Sequence, residues 1–166
     1  NPMTTNTEQL SLVGRKAAQA RDWRTVEACA NELIRLSTSN PEGYFLKGLV
    51  EKAAQHPNVA SEAFEKVLSL DSTRYDAAIE LASQLVISLR NTEAISLLER
   101  YTGSLSNSPR YLDMAGTIYT DIGLSSFALP LYQKANKLQP GIDLFMANLA
   151  ACSIFLGKIK DARDIY

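Results

Sequence analysis

Lys47 and Glu51 stand four residues apart, the spacing that brings two side chains onto one face of a helix. Buried together, they would form a poised acid–base pair. Partly solvated, they form an ordinary ion pair, and nothing else in the sequence asks for more. Asp113 and Asp121 are the nearest thing to paired carboxylates. On one helix they would lie about 12 Å apart along the axis, too far for glycosidase-type work. His56, in the turn Gln55-His56-Pro57-Asn58, reads as a solvated turn residue rather than a ligand or base. Cys29 and Cys152 lie far apart within helical patterns and read as small core residues rather than reactive thiols. Two cysteines and one histidine cannot complete a four-ligand zinc site. Trp23 reads as a packing residue at a turn. No Gly-rich phosphate loop, nucleophile elbow or metal-spaced His/Glu pair occurs. We therefore expect no catalytic residue, no metal and no cofactor in this chain.

Charge and composition narrow the partners. The 17 basic and 18 acidic residues leave a net charge of -1 and no basic stripe to neutralise phosphates, which argues against nucleic acid. No apolar run approaches the roughly 20 residues a membrane helix needs, so no membrane partner is expected. Asn1-Pro2 ahead of Met3 looks like a vector remnant, and the N-terminus lacks the basic and apolar regions of a signal peptide. A cytoplasmic protein is expected.

What the helical segments share is a period. Small residues recur every 34 positions at Gly14, Gly48, Ala82, Gly116 and Ala150. Twelve residues after each comes Val26, Ala60, Ala94, Ala128 or Ala162, and four further on Ala30, Phe64, Leu98, Tyr132 or Tyr166. Four before each stands Leu10, Tyr44, Ala78, Leu112 or Met146. The small residues let two helices approach; the larger ones fill the space beside them. Asn40-Pro41 and Ser108-Pro109 read as capped helix starts, and Asp22, Asn58 and Asn91 as caps of second helices. Pro130 falls early inside a predicted helix, harmless in its first turn and disruptive one turn deeper. The stretch 102–107 reads as an irregular connection.

This period and its residues resemble the tetratricopeptide repeat, a 34-residue helix-turn-helix unit. Leu112, Ala115, Gly116, Tyr119, Gly123, Ala128, Tyr132, Ala135 and Pro140 follow the family pattern, with Ala115 where that pattern has Leu. The resemblance implies an all-α fold, a right-handed solenoid of antiparallel helix pairs. After an N-terminal segment 1–6, it predicts units at 7–40, 41–74, 75–108 and 109–142. A fifth, 143–166, is cut within its second helix, so the native protein is expected to continue.

The resemblance further implies a partner-binding groove lined by first helices: Arg15, Phe45, Leu49, Lys52, Ile79, Ser83, Val86, Ile87, Asp113, Thr117 and Thr120. Family members that clamp a C-terminal carboxylate need cations there. The matching positions here carry Ser11, Arg15, Leu46, Asp76 and Glu80, so that clamp is not expected. Phe45, Leu49, Ile79, Val86 and Ile87 are apolar. Exposed, they would suit an apolar or amphipathic partner helix; under tight curvature they would pack against neighbouring units instead. A protein or peptide partner is expected, with self-association through an open C-terminal face as a further reading. The run from Tyr111 to Tyr166 also resembles the repeat arm of bacterial proteins that carry a C-terminal sulfotransferase-type domain. That resemblance implies a regulatory or substrate-presenting arm, any sulfonate-donor chemistry belonging to a part this chain lacks.

Overall fold

A computed structural model describes residues 2–165, with side chains for 6–160 and 163. Among these residues the chain is helical and has no strand. The α-helices are α1 (Pro2–Gln19), α2 (Trp23–Leu36), α3 (Pro41–Ala53), α4 (Pro57–Leu70), α5 (Tyr75–Ile87), α6 (Asn91–Tyr101), α7 (Pro109–Asp121), α8 (Ser125–Leu138) and α9 (Asp143–Ile165). A 3-10 turn, Thr102–Leu105, buries Leu105 in the connection expected to be irregular. Two compact units emerge, 1–90 and 91–166, divided in the turn between α5 and α6, inside the predicted span 75–108.

Gly48 and Gly116 do the packing expected of the small-residue positions, while Ala150 is exposed on α9. A Cβ on Gly48 would fall 2.4 Å from the Phe64 ring, and one on Gly116 would fall 2.6 Å from the Tyr132 ring. Those helix pairs close only because no side chain stands between backbone and ring. At Gly14 the nearest atom, 2.5 Å away, is the flexible tip of Leu46. Val26, Ala30, Ala60, Phe64, Ala94, Leu98, Ala128 and Tyr132 are all buried. Ala162 and Tyr166 lie outside the described side chains. Trp23 and Leu49 pack on the cluster of Ala17, Val26, Cys29, Ala30, Leu33 and Leu46.

Several local expectations change. Asp22 and Asn40 cap as expected, accepting from the Thr25 and Glu42 amides. Ser108 makes no side-chain cap. Asn58 lies inside α4, whose N-cap is His56, and its amide oxygen accepts a 3.2 Å bond from the Ser88 hydroxyl instead. Asn91 is the first helical residue of α6 rather than its cap. Pro130 sits in the second turn of α8, where the helix forgoes one backbone bond. α1 begins at Pro2, so residues 2–6 of the expected N-terminal segment belong to a helix. The largest departure is α9, an unbroken 23-residue helix where the period calls for a turn at Gly157. Lone glycine costs a helix only about 1 kcal/mol, and the residues after it are helix formers.

Candidate functional site

The first unit gathers its charges onto neighbouring first helices. Arg15 from α1 donates through Nε and Nη2 to the two carboxylate oxygens of Glu42, the second residue of α3. Ser11, one turn earlier, donates to the same carboxylate at 2.9 Å. Arg74, in the turn before α5, donates through Nε and Nη2 to both oxygens of Asp76 at 2.9 Å. The ring closes through Arg74–Glu42 at 3.4 Å and Arg15–Asp76 at 3.7 Å, so each cation faces both acids. Both guanidiniums also lie over the Phe45 ring, 4.9 and 5.0 Å from its centroid. Burial alone would raise the Asp76 pKa. The Arg74 hydrogen bonds and charge, the Ala77 amide and Arg15 outweigh it and hold that carboxyl below its ordinary value.

A second ion pair lies on α3 and α5. Lys52 Nζ donates to both oxygens of Glu80 at 3.1 and 3.0 Å. Glu80 has no exposed side-chain surface, while Lys52 keeps 32% of its own. Beside the ring, Thr7, Glu8, Ser11, Leu12, Asn40 and Glu42 line an open depression of about 450 Å³. Arg15 keeps 44% of its side chain exposed and is the ring's accessible edge.

In the second unit the first helices use neutral partners. The hydroxyls of Thr117 and Thr120 share the Tyr132 hydroxyl at 3.1 and 3.2 Å. The Asn148 amide donates to both oxygens of the buried Asp113 at 3.1 Å. Burial raises the Asp113 pKa, and the Asn148 amide only partly opposes it.

The expected groove residues thus divide. Arg15 and Phe45 come together, and Lys52 joins a buried partner. Thr117 and Thr120 meet at Tyr132, with Asp113 one turn away on Asn148. Of the two alternatives for the apolar residues, Phe45 and Ile79 follow internal packing. Phe45 and Ile79 are core, at 2% and 0% exposure, because the guanidiniums cover the first and α5 buries both of its faces. Leu49, Ser83 and Val86 are half-buried, and only Ile87 stands out, 61% exposed. Glu42 and Arg74 were missed as site residues. An Arg two residues before an Asp, at a helix start, was the available signal. The suggested Lys47–Glu51 pairing gives way to Glu51 with His56, 2.8 Å apart. Both cysteine thiols are buried, and burial pushes their pKa up, away from the reactive thiolate.

Among the described residues, no three His, Cys, Asp or Glu side chains cluster to hold a metal ion, and no helix is long and apolar enough to cross a membrane. No family model matches the chain, and no curated protein matches it in sequence. Solved structures do. PilF of Pseudomonas aeruginosa superposes with a TM-score of 0.78 at 14% identity, over 99% of this chain and 75% of that one. YrrB, described as a TPR protein with an unusual peptide-binding site, gives 0.63 at 17% identity over 95% and 84%. A mutant O-GlcNAc transferase of Thermobaculum terrenum gives 0.68 at 17% identity, over 82% of this chain and 27% of that chain. The helix pairs, their period and these likenesses agree: the chain has the all-α helical-solenoid fold of tetratricopeptide-repeat proteins.

Proposed function

We propose that this chain is a protein-interaction scaffold that holds a peptide or partner helix against the α1–α3–α5 face of its first unit. The observation that carries the reading is the closed Arg15–Glu42–Arg74–Asp76 ring over Phe45. Its charges are preorganised, and Arg15 presents an accessible edge beside an open depression. A rigid polar rim on an apolar ring orders few groups on binding, which favours affinity. Because each cation already faces two acids, a bare carboxylate gains little here. The partner of best fit offers a donor to Glu8 and an apolar flank to Leu12, both exposed beside the ring. YrrB's peptide-binding site, on the same fold, supports the reading.

The test is a peptide-array screen of the intact chain against Arg15→Glu and Glu8→Lys. Sequences bound by the wild type should weaken at least tenfold in both variants. An unchanged binding profile would end the groove reading.

A second reading has one specific support. This fold also occurs within a much longer enzyme chain, the O-GlcNAc transferase, of which only 27% is matched. The chain then serves as the arm of a larger enzyme, of sulfotransferase type as the sequence resemblance implies. Reading the gene past Tyr166 decides it, a stop codon there excluding it.

A further inference from the structure

An ammonium group carries three N–H donors. Lys52 Nζ makes two contacts, to the two oxygens of Glu80 at 3.1 and 3.0 Å, and no other bond among the described residues. The Lys52 side chain keeps 32% of its surface, whereas Glu80 keeps none. A donor is therefore left facing the groove. The Ser83 hydroxyl stands one turn beyond Glu80 on α5, on the same side of that helix. It is half-buried and likewise makes no bond among the described residues. The 34-residue offset gives Leu49 of α3 the repeat position of Ser83, and Lys52 that of Val86. The two neighbouring first helices thus present four half-buried side chains in two rows, one apolar and one polar residue in each.

The Lys52–Glu80 pair is neutral as a whole, and this decides what its remaining donor accommodates. A partner carboxylate would meet the Glu80 charge, both of whose oxygens lie within 3.1 Å of the ammonium. A partner cation would meet the ammonium itself. A neutral acceptor meets neither penalty, and its bond to a charged donor is a strong one. Ser83 adds a hydroxyl that accepts as well as donates. A carbonyl oxygen and an amide N–H within reach of each other are what extended main chain offers; in a helix those groups are already paired. We propose that this patch binds an extended stretch of partner main chain. One carbonyl oxygen accepts from Lys52, one amide N–H donates to Ser83, and an apolar side chain lies on Leu49 and Val86. The main-chain bonds supply affinity and the apolar pair supplies preference for the side chain. This inference rests on the groove reading and narrows it to a peptide held by its backbone.

Peptides selected by the wild-type chain on the array serve as the probes. Each is resynthesised with a thioamide at successive positions, because sulfur accepts a hydrogen bond poorly, and binding is read by fluorescence anisotropy. Replacement at one position should weaken binding to the wild type about tenfold. The Lys52→Met, Glu80→Gln double variant loses the donor and the buried charge together. It should bind the unmodified peptide about tenfold more weakly and lose its sensitivity to that thioamide. Ser83→Ala should weaken binding about threefold and leave the sensitive position where it is. If urea unfolding shows the double variant to be unfolded, the wild-type scan and Ser83→Ala decide the matter. Peptides whose affinity depends on Arg15 yet ignores Lys52 and Ser83 overturn the inference and leave the groove reading standing. So does a scan with no sensitive position, or one whose sensitive position persists in the folded double variant. A chain that binds no peptide ends both.

Discussion

The two units use one packing rule and opposite electrostatics. In both, a glycine on a first helix receives a ring from the second: Phe64 on Gly48, Tyr132 on Gly116. Their polar residues differ. Unit 1 holds charges in pairs, Arg15 and Arg74 with Glu42 and Asp76, and Lys52 with Glu80. Unit 2 buries Asp113 against a neutral amide and ties Thr117 and Thr120 to a phenol. Their turns differ as well. Unit 1 places Arg21, Gln55 and Leu89 in the left-handed region, where unit 2 places Gly123. The repeat thus dictates only what must be small and what must be large. Polar chemistry and turn chemistry vary freely around it.

The ion pair of unit 1 should give the largest effect. Lys52→Met leaves the fully buried Glu80 carboxylate without its counter-charge, and the expected loss is about 3 kcal/mol. Glu80→Gln on that background should recover much of it, as read by urea unfolding. If Lys52→Met is neutral, unit 1 owes little to its pairs and the electrostatic contrast disappears. Next comes the shared rule. Gly116→Leu should cost about 2 kcal/mol by overpacking Tyr132, and Gly48→Leu a similar amount against Phe64. Melting curves check both, and an unmoved midpoint in either would break the common register.

The turns sharpen the contrast through opposite signs. Gly123→Ala should destabilise by about 1 kcal/mol, since alanine resists positive φ, while Gln55→Gly should relieve strain of similar size. Equal responses from the two would remove the distinction.

Acidity provides the smallest effect, also of opposite sign. Asp76 is held below its ordinary pKa, so the folded state binds fewer protons there than the unfolded chain. Its contribution is present above the unfolded value and is lost as pH falls through the folded one. Asp113 is raised, so the folded state binds more protons, and stability from this site falls as pH rises from the ordinary carboxylate value through the raised one. Asp76→Asn should therefore flatten the acid limb of stability against pH. Asp113→Asn should flatten the part just above it. Paired urea titrations from pH 3 to 6 decide it, and slopes of the same sign would contradict the assignment.

The 34-residue period, the helix pairs and the residues that pack them were legible because each contact recurs at a fixed offset in the chain. Gly48, Gly116, Phe64 and Tyr132 could be assigned without coordinates for that reason. Site residues were less legible. Arg15 was found at a repeat position, but Glu42 and Arg74 lie at a helix start and in a turn, and their pairing joins three helices. No local spacing encodes it.

What the chain determined by itself was which positions must be small, apolar or turning, since those demands come from backbone geometry and repeat every unit. Burial of Phe45 and Ile79, the closed ring of charges and the straight course of α9 were decided by tertiary structure alone. Each depends on what a side chain meets across a helix interface. A pattern can call for a turn at Gly157, but a helix turns back only when packing outweighs its continuation.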